Sequence, residues 1–178
     1  MRYIALLRGI NVGGNNKVSM GELKQAFESL GFTNVSTYIN SGNVIFDSRE
    51  TNEVKLVRMC EDSIKKTFGF LVKVAIISQS ELHDALCHSP IWWGSSETVK
   101  HNAIVAIAPA RAVDIMREVG EAKPEYEKVA VRGKVIFWSA PLKTFGRTRY
   151  SKIVGTKTYQ HVTIRNANTM RKLHALVS

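Results

Sequence analysis

The first 78 residues follow an order of apolar patterns that few folds accommodate. A short apolar run predicts a strand over residues 2–8, and a helix then begins at Ser19, whose spacing to Glu22 is that of a capping box. Two short strands flank the turn 40–43, and a helix with one apolar face comes next and ends near Gly69. Residues 71–77 predict a final strand. This order, β-α-β-β-α-β, predicts a ferredoxin-like unit.

The remaining residues show a similar order less regularly, with a loop-rich stretch over residues 141–158. We therefore expect an α+β protein of two ferredoxin-like α/β sandwich units, residues 1–78 and residues 79–178, the second of them decorated. The elements predicted for the second unit are a helix over 78–88, a strand over 102–108, a helix between Pro109 and Gly120, a hairpin over 128–138, a short helix near 150–154, a strand over 162–165 and a terminal helix.

The net charge of +10 is confined to the last 51 residues. Residues 128–178 contain eleven Lys or Arg and no acidic residue, whereas residues 1–127 contain fourteen basic and fifteen acidic ones. Like charges repel one another in a compact state, so this segment needs a partner or a fold that spreads its charge. Basic and aromatic side chains alternate in the loop-rich stretch: Lys143, Phe145, Arg147, Arg149, Tyr150, Lys152, Lys157 and Tyr159.

Cations interleaved with aromatic rings are typical of proteins that contact phosphates and stacked single-stranded bases. We expect binding of a phosphate-bearing polyanion, with nucleic acid as the leading hypothesis. Two alternatives stay open: a small phosphorylated or acidic molecule, and a solvated or oligomer-forming surface with no dedicated ligand. The nucleic-acid candidates are Arg147, Arg149, Lys152 and Lys157.

A second group of polar residues belongs to the first unit. In a split β-α-β unit the first two strands run parallel with the third between them, so their carboxyl ends lie at one sheet edge, ~10 Å apart at ~4.8 Å per strand. The polar residues that follow these two strands form a predicted rim, made of Arg8, Asn11, Asn15, Asn16, Lys17, Asn40, Ser41 and Asn43. Their donors suit an anion or a base edge. The alternative is that Asn and Gly occur there only because they tolerate positive φ.

The glycine loop at the rim does not fit the known phosphate loops. Gly9 and Gly14 have P-loop spacing, but Asn15 follows where that motif needs Lys and then Ser or Thr, and the pattern G-x-G-x-x-G is not met either. In the predicted capping box, Glu22 would also place a carboxylate where a phosphate would sit. We expect contact through side chains rather than a nucleotide cradled on the helix terminus.

The sequence assigns no catalytic residue, metal or cofactor. Ser41 is the serine in a site-like motif, yet none of the five histidines lies near it in sequence. Cys60 and Cys87 are isolated, which argues against zinc, redox and disulfide sites. The pair Trp92-Trp93 suits either a stacking platform or a plug at the end of a core. The chain has no run of 18 apolar residues and no secretory signal, so we expect a cytoplasmic protein without a membrane partner, its oligomeric state open.

Three motifs identify a family resemblance. They are residues 8–14 (Arg-Gly-Ile-Asn-Val-Gly-Gly) with Asn16-Lys17-Val18 and Met20 after them, residues 41–46 (Ser-Gly-Asn-Val-Ile-Phe), and residues 163–169 (Thr-Ile-Arg-Asn-Ala-Asn-Thr) with Lys172-Leu173. Together they resemble the signature of the bacterial domain-of-unknown-function 1697 (DUF1697) family. The resemblance implies an α/β protein with ferredoxin-like parts and no particular reaction. Ala167 stands where the family usually has Trp, so that ring's role does not carry over.

The third motif supplies the last candidate ligands, Arg165, Asn166 and Asn168. Polar loop residues are where binding and catalytic sites tend to lie. As an alternative to nucleic-acid binding, these three residues and the rim would hold a small anionic or phosphorylated substrate in a cleft between the two units. An enzyme of this kind and a binding protein therefore both remain hypotheses at the level of sequence.

Overall fold

The structure is a computed structural model that describes residues 1–14 and 16–178. The predicted rim residue Asn15 therefore lies outside the described residues. The chain divides into two compact units. The first is formed by Met1–Gln79 with Ile107–Pro109 and Val177–Ser178, and the second by Ser80–Ala106 and Ala110–Leu176.

The first unit has one four-stranded antiparallel sheet and two helices. Its sheet has the order β2-β3-β1-β4, so that β1 and β2 run parallel on either side of β3. The carboxyl ends of β1 and β2 therefore lie at the same edge. The elements are β1 (Arg2–Leu7), α1 (Met20–Glu28), β2 (Thr33–Tyr38), β3 (Asn43–Asp47), α2 (Glu53–Phe68) and β4 (Val74–Ser78).

Local sequence signals set the ends of both helices in this unit. The side chain of Ser19 accepts a hydrogen bond from the amide of Glu22 at 3.4 Å, and Asn52 caps α2 in the same way. Gly69 ends α2 at φ +80°, a conformation that glycine adopts without steric cost. Buried residues of both helices, including Leu23, Phe27, Leu56, Cys60 and Ile64, form the helical side of the core.

The second unit repeats the strand order of the first. Its sheet runs β6-β7-β5-β8, again with every neighbouring pair antiparallel. Three consecutive 3₁₀-helices take the chain position that α2 has in the first unit. The elements are α3 (Gln79–Cys87), β5 (Val99–Ala106), α4 (Ala112–Val119), β6 (Lys128–Arg132), β7 (Val135–Pro141), the 3₁₀-helices Leu142–Arg147, Tyr150–Gly155 and Lys157–His161, β8 (Val162–Asn166) and α5 (Ala167–Val177).

The α+β class predicted from the sequence is confirmed, but several bounds differ: β4 begins at Val74 rather than at residue 71, and β5 spans Val99–Ala106 rather than 102–108. Pro109 does not open a helix, because α4 begins three residues later at Ala112. The short helix expected near residue 150 is a 3₁₀-helix within a run of three. In the part of the chain that is described, no helix has both the length and the apolar character needed to cross a membrane.

Candidate functional site

The three 3₁₀-helices between β7 and β8, residues 142–161, are called here the basic segment. Short 3₁₀ turns leave many backbone groups unpaired along the chain, so such a run needs anchors from its neighbours. Five cationic side chains project from it and all are exposed: Lys143, Arg147, Arg149, Lys152 and Lys157. The four residues proposed from the sequence as nucleic-acid contacts are thus all at the surface.

A single buried carboxylate anchors the middle of the basic segment. Glu127 precedes β6 and is only 4% exposed. Its Oε1 accepts hydrogen bonds from the amides of Lys123 at 3.1 Å and Arg149 at 2.7 Å. Its Oε2 accepts from the indole Nε1 of Trp138 at 3.0 Å and from the amide of Tyr150 at 3.2 Å. Four N–H donors satisfy this carboxylate, which is the condition under which a charged group is tolerated inside a protein.

The aromatic residues of the segment face the core. Tyr150 is 1% exposed, and its ring lies 6.4 Å from that of Trp138. Burial is the main cause that raises the pKa of Tyr150 to about 12, so its hydroxyl stays protonated. Phe145 lies 5.1 Å from Trp138 and is covered by Lys100, whose Nζ is 4.3 Å from the ring centroid. Tyr150 is therefore not available to stack on bases, because it packs against the core while the neighbouring cations of the basic segment are exposed.

Other cations of the acid-free stretch are neutralised by α3. Arg132 forms a bidentate ion pair with Asp84, both distances 2.7 Å, and Lys134 contacts Glu81 at 3.0 Å. Within residues 1–14 and 16–178, none of the five cations of the basic segment forms an ion pair with an acidic side chain. The positive charge of the segment thus persists in the folded structure.

Two further contacts shape the positive surface. The guanidinium of Arg147 lies 5.9 Å from the ring centroid of Tyr126, and Lys123 donates from Nζ to the carbonyl of Arg147 at 3.2 Å. Glu118 on α4 also reaches the segment, where it accepts a hydrogen bond from Thr158 at 3.0 Å. The surface is thus mainly cationic with one acidic contact at its carboxyl-terminal end.

The rim of the first unit is held together by asparagine side chains. Nδ2 of Asn11 donates to the carbonyls of Asn40 at 2.9 Å and Val18 at 3.0 Å, and its Oδ1 accepts from the amide of Val18 at 2.8 Å. The glycine loop and the turn after β2 therefore meet, as strand topology requires. Asn11 uses its side-chain amide to join them, and its φ of +55° also fits the backbone explanation offered from the sequence.

The turn between β2 and β3 is stabilised by hydrogen bonds among its own residues. Asn43 is fully buried, and its Nδ2 donates to the carbonyl of Tyr38 at 2.9 Å and to Oγ of Ser41 at 3.1 Å. Gly42 adopts φ +76°, and a Cβ built on it would lie 2.7 Å from side-chain atoms of Leu7 and Ile10. Asn43 is thus a structural residue of the turn, inaccessible to a ligand from solvent.

The other rim candidates lie nearer the solvent. Arg8 follows β1, is half-buried, and donates its backbone amide to the carbonyl of Lys73 at 2.9 Å. Lys17, Asn40 and Ser41 are exposed. A ligand role for these four residues stays a prediction.

The candidates of the third motif differ in accessibility. Arg165 is 8% exposed and donates to Oγ1 of Thr163 at 3.0 Å and to the carbonyl of Ile164 at 2.9 Å. Burial lowers the pKa of Arg165 to about 10, so it remains a cation at neutral pH. Asn166 accepts from the amide of Thr169 at 2.7 Å at the start of α5, and Asn168 is exposed. Arg165 is therefore built into the sheet rather than displayed on it.

One pair of residues escaped the sequence analysis. His101 on β5 lies directly opposite Ser139 on β7, with 2.6 Å between Nδ1 and Oγ. Both line a cavity of about 330 Å³ together with Trp92 and Tyr126. A pairing between residues 38 positions apart depends on strand register, which no local sequence pattern specifies. The sequence carried no direct signal, because His101 and Ser139 each lie one residue outside the predicted strand over 102–108 and the predicted hairpin over 128–138.

Comparison with known proteins finds one matching family model and a similar solved structure. The family model described as "Protein of unknown function (DUF1697)" matches residues 1–137, so the basic segment and the third motif lie beyond the matched part. A solved structure of a conserved bacterial protein from Streptococcus pneumoniae is similar with a TM-score of 0.87 and 30% sequence identity, over 99% of this chain and 98% of that one. No curated protein matches the chain.

Proposed function

The chain belongs to the DUF1697 family, and we propose that it binds phosphate-bearing polyanions, nucleic acid foremost, through its basic segment. The single observation that carries this proposal is the set of five exposed cations, free of acidic partners in the described residues, on a segment anchored by Glu127. We place this binding in the cytoplasm, where nucleic acid is abundant. The strand order of both sheets also supports assigning the two units to the ferredoxin-like type.

The segment favours recognition of the phosphate backbone rather than of base sequence. Arginine and lysine side chains in water neutralise phosphates and release counterions, which gives affinity without sequence information. Tyr150, which lies between Arg149 and Lys152 in the sequence, is buried and does not offer its ring to stacked bases. We therefore expect little preference between base sequences and a strong dependence on salt.

The salt dependence gives the proposal a magnitude. If Arg147, Arg149, Lys152 and Lys157 each neutralise one phosphate of a single strand, the log–log slope of affinity against salt is about −3, at ~0.7 per phosphate. Titration of a labelled single-stranded oligonucleotide at several salt concentrations, followed by fluorescence anisotropy, measures this slope. The same titration with a duplex and with RNA identifies the preferred form.

Two variants with equal charge separate local contact from overall charge. Changing Arg147, Arg149, Lys152 and Lys157 to Gln lowers the net charge from +10 to +6. The control changes four exposed cations of the first unit to Gln and gives the same net charge: Arg49, Arg58, Lys65 and Lys66. We expect the first variant to lose almost the whole slope and the control to keep most of it.

Two results would overturn the proposal. The first is absence of binding by the parent protein at low salt. The second is an equal loss of affinity in both variants, which would assign binding to net charge rather than to the basic segment. The alternative of a small anionic substrate held by the rim and Arg165, Asn166 and Asn168 stays a prediction.

A further inference from the structure

A second candidate site lies on the sheet of the second unit, and two of its lining residues, Tyr126 and Glu127, also contact the basic segment. We propose that the cavity beside β5 and β7 is an acyl-transfer site for small esters, with Ser139 as the nucleophile and His101 as its general base. A nucleophile hydrogen-bonded to a base that is itself oriented by a third group is the arrangement expected for covalent catalysis. All three groups are present here.

The first element of the argument is the geometry of the pair. His101 and Ser139 are direct cross-strand partners, so their side chains stand on the same face of the sheet. The distance of 2.6 Å from Nδ1 to Oγ is at the short end of the range for proton transfer between a hydroxyl and its base. Two central strands hold both residues, which fixes the pair more firmly than loops would.

The second element is the orientation of the imidazole. Nε2 of His101 lies 3.0 Å from the carbonyl oxygen of Ser96 and 3.3 Å from the amide nitrogen of the same residue, and the shorter contact, to the carbonyl, is the one made when Nε2 carries the proton. With the proton on Nε2, the lone pair of Nδ1 faces the hydroxyl of Ser139, which is the form a general base requires. Burial, as the largest cause, lowers the pKa of His101 and keeps the ring neutral at pH 7.

The third element is the cavity itself. Its volume of about 330 Å³ lies at the lower end of the range for small-ligand sites. Aromatic and apolar walls are supplied by Trp92, Tyr126 and Val99 with Pro124 and Pro141, which suits an ester with an apolar or aromatic group. The lining carboxylate of Glu127 is occupied by its four N–H donors and does not compete for the imidazole.

A cation is placed on the other side of the nucleophile. Lys128 on β6 is the cross-strand partner of Ser139, and it also lines the cavity. Lys128, Ser139 and His101 therefore stand in a row across three adjacent strands. An ammonium group beside the nucleophile stabilises negative charge that develops on the carbonyl oxygen of the substrate.

The proposed reaction, acylation of Ser139 followed by hydrolysis of the acyl-serine, needs no cofactor. Oγ of Ser139 forms a bond to the carbonyl carbon while its proton passes to Nδ1 of His101. The tetrahedral intermediate then collapses, the bond to the leaving oxygen breaks, and that oxygen takes the proton from His101. A water molecule repeats the sequence on the acyl-serine and releases the carboxylic acid, with Ser139 reprotonated.

The test uses the full chain and two probes, p-nitrophenyl acetate and an alkyl fluorophosphonate. We expect each to modify Ser139, located by mass spectrometry of peptides, and we expect release of p-nitrophenol. Ser139→Ala should abolish both signals, and His101→Gln should slow labelling by about 10²–10⁴-fold, the usual contribution of a general base. Ser36→Ala, at an exposed serine of β2, is the matched control and should label like the parent.

The outcomes distinguish chemistry from a structural hydrogen bond. If the pair only stabilises the sheet, Ser139→Ala lowers the melting temperature while the folded parent protein remains unlabelled at Ser139, and the proposal is wrong. Equal labelling rates for the parent and for His101→Gln would also refute it. Because the parent protein alone decides the first point, failure of a variant to fold does not obscure the answer.

Discussion

Replacement of Glu127 by Gln tests the anchor of the basic segment. Each carboxylate oxygen accepts two N–H donors, and glutamine presents an NH₂ group in place of one of these oxygens. Two of the four donors then face another donor in a buried site. Leaving a buried donor unsatisfied costs about 1–3 kcal/mol, so Glu127→Gln should lower the free energy of unfolding by about 2–6 kcal/mol.

The neighbouring Glu125 provides the control. It is exposed, and Glu125→Gln makes the same change of side chain and of net charge. A surface substitution of this kind should alter stability by no more than about 0.5 kcal/mol. Urea unfolding followed by tryptophan fluorescence gives the free energy of unfolding for the parent and both variants, with an unchanged m-value as the sign of two-state behaviour.

The two variants should also differ in the sign of their effect on oligonucleotide binding. Both raise the net charge by one, which by itself strengthens binding to a polyanion. Glu125→Gln should therefore bind slightly more tightly than the parent. Glu127→Gln should bind more weakly, because the cations around residue 149 lose their fixed arrangement. Equal stability of the two variants would refute the anchoring role of Glu127. Tighter oligonucleotide binding by Glu127→Gln than by the parent would show that binding does not require this anchor.

Two further predictions concern the rim turn and the cavity. Gly42→Ala should destabilise the protein by about 2–5 kcal/mol in thermal unfolding, because left-handed strain of about 1–2 kcal/mol adds to overpacking against Leu7 and Ile10. Gly13→Ala is the control, since Gly13 has φ +58° with open space around it and its replacement should show the strain alone. Equal losses of stability in the two variants would refute the clash at Gly42. The pKa of His101 is lowered in the folded protein, so as pH falls the imidazole of the unfolded chain, with a usual pKa of about 6.5, is protonated first. The melting temperature should therefore decrease from pH 7 toward pH 5. His101→Gln should remove the part of this decrease that comes from His101.

Local signals in the sequence were enough for most of the first unit. The capping pattern at Ser19 and the glycine at position 69 mark helix ends that the structure reproduces. Such signals act within one turn of a helix, so they are visible without tertiary information. The segment after β7 was harder to predict, because the backbone amides of Arg149 and Tyr150 are held by Glu127, about twenty residues earlier in the chain.

The candidate sites show the same contrast between features that local sequence reveals and features that depend on the folded structure. The cations of the basic segment could be found from composition, because charge is a property of the sequence and exposed lysine and arginine are the rule. Accessibility could not be found in this way: Arg165 and Asn43 are buried, although their motifs look polar and loop-like. The pairing of His101 with Ser139 depends on strand register, which is set by the whole sheet.

The strand order β6-β7-β5-β8 has a consequence for how the chain emerges from the ribosome. Ala106 of β5 pairs with Val162 of β8, which is synthesised about 56 residues later, or ~3–11 s at ~5–20 residues per second. During that interval one edge of a buried, apolar strand has no partner, and such an edge readily pairs with other chains. The basic segment is made within the same interval. Its like charges oppose the approach of a second copy of the segment.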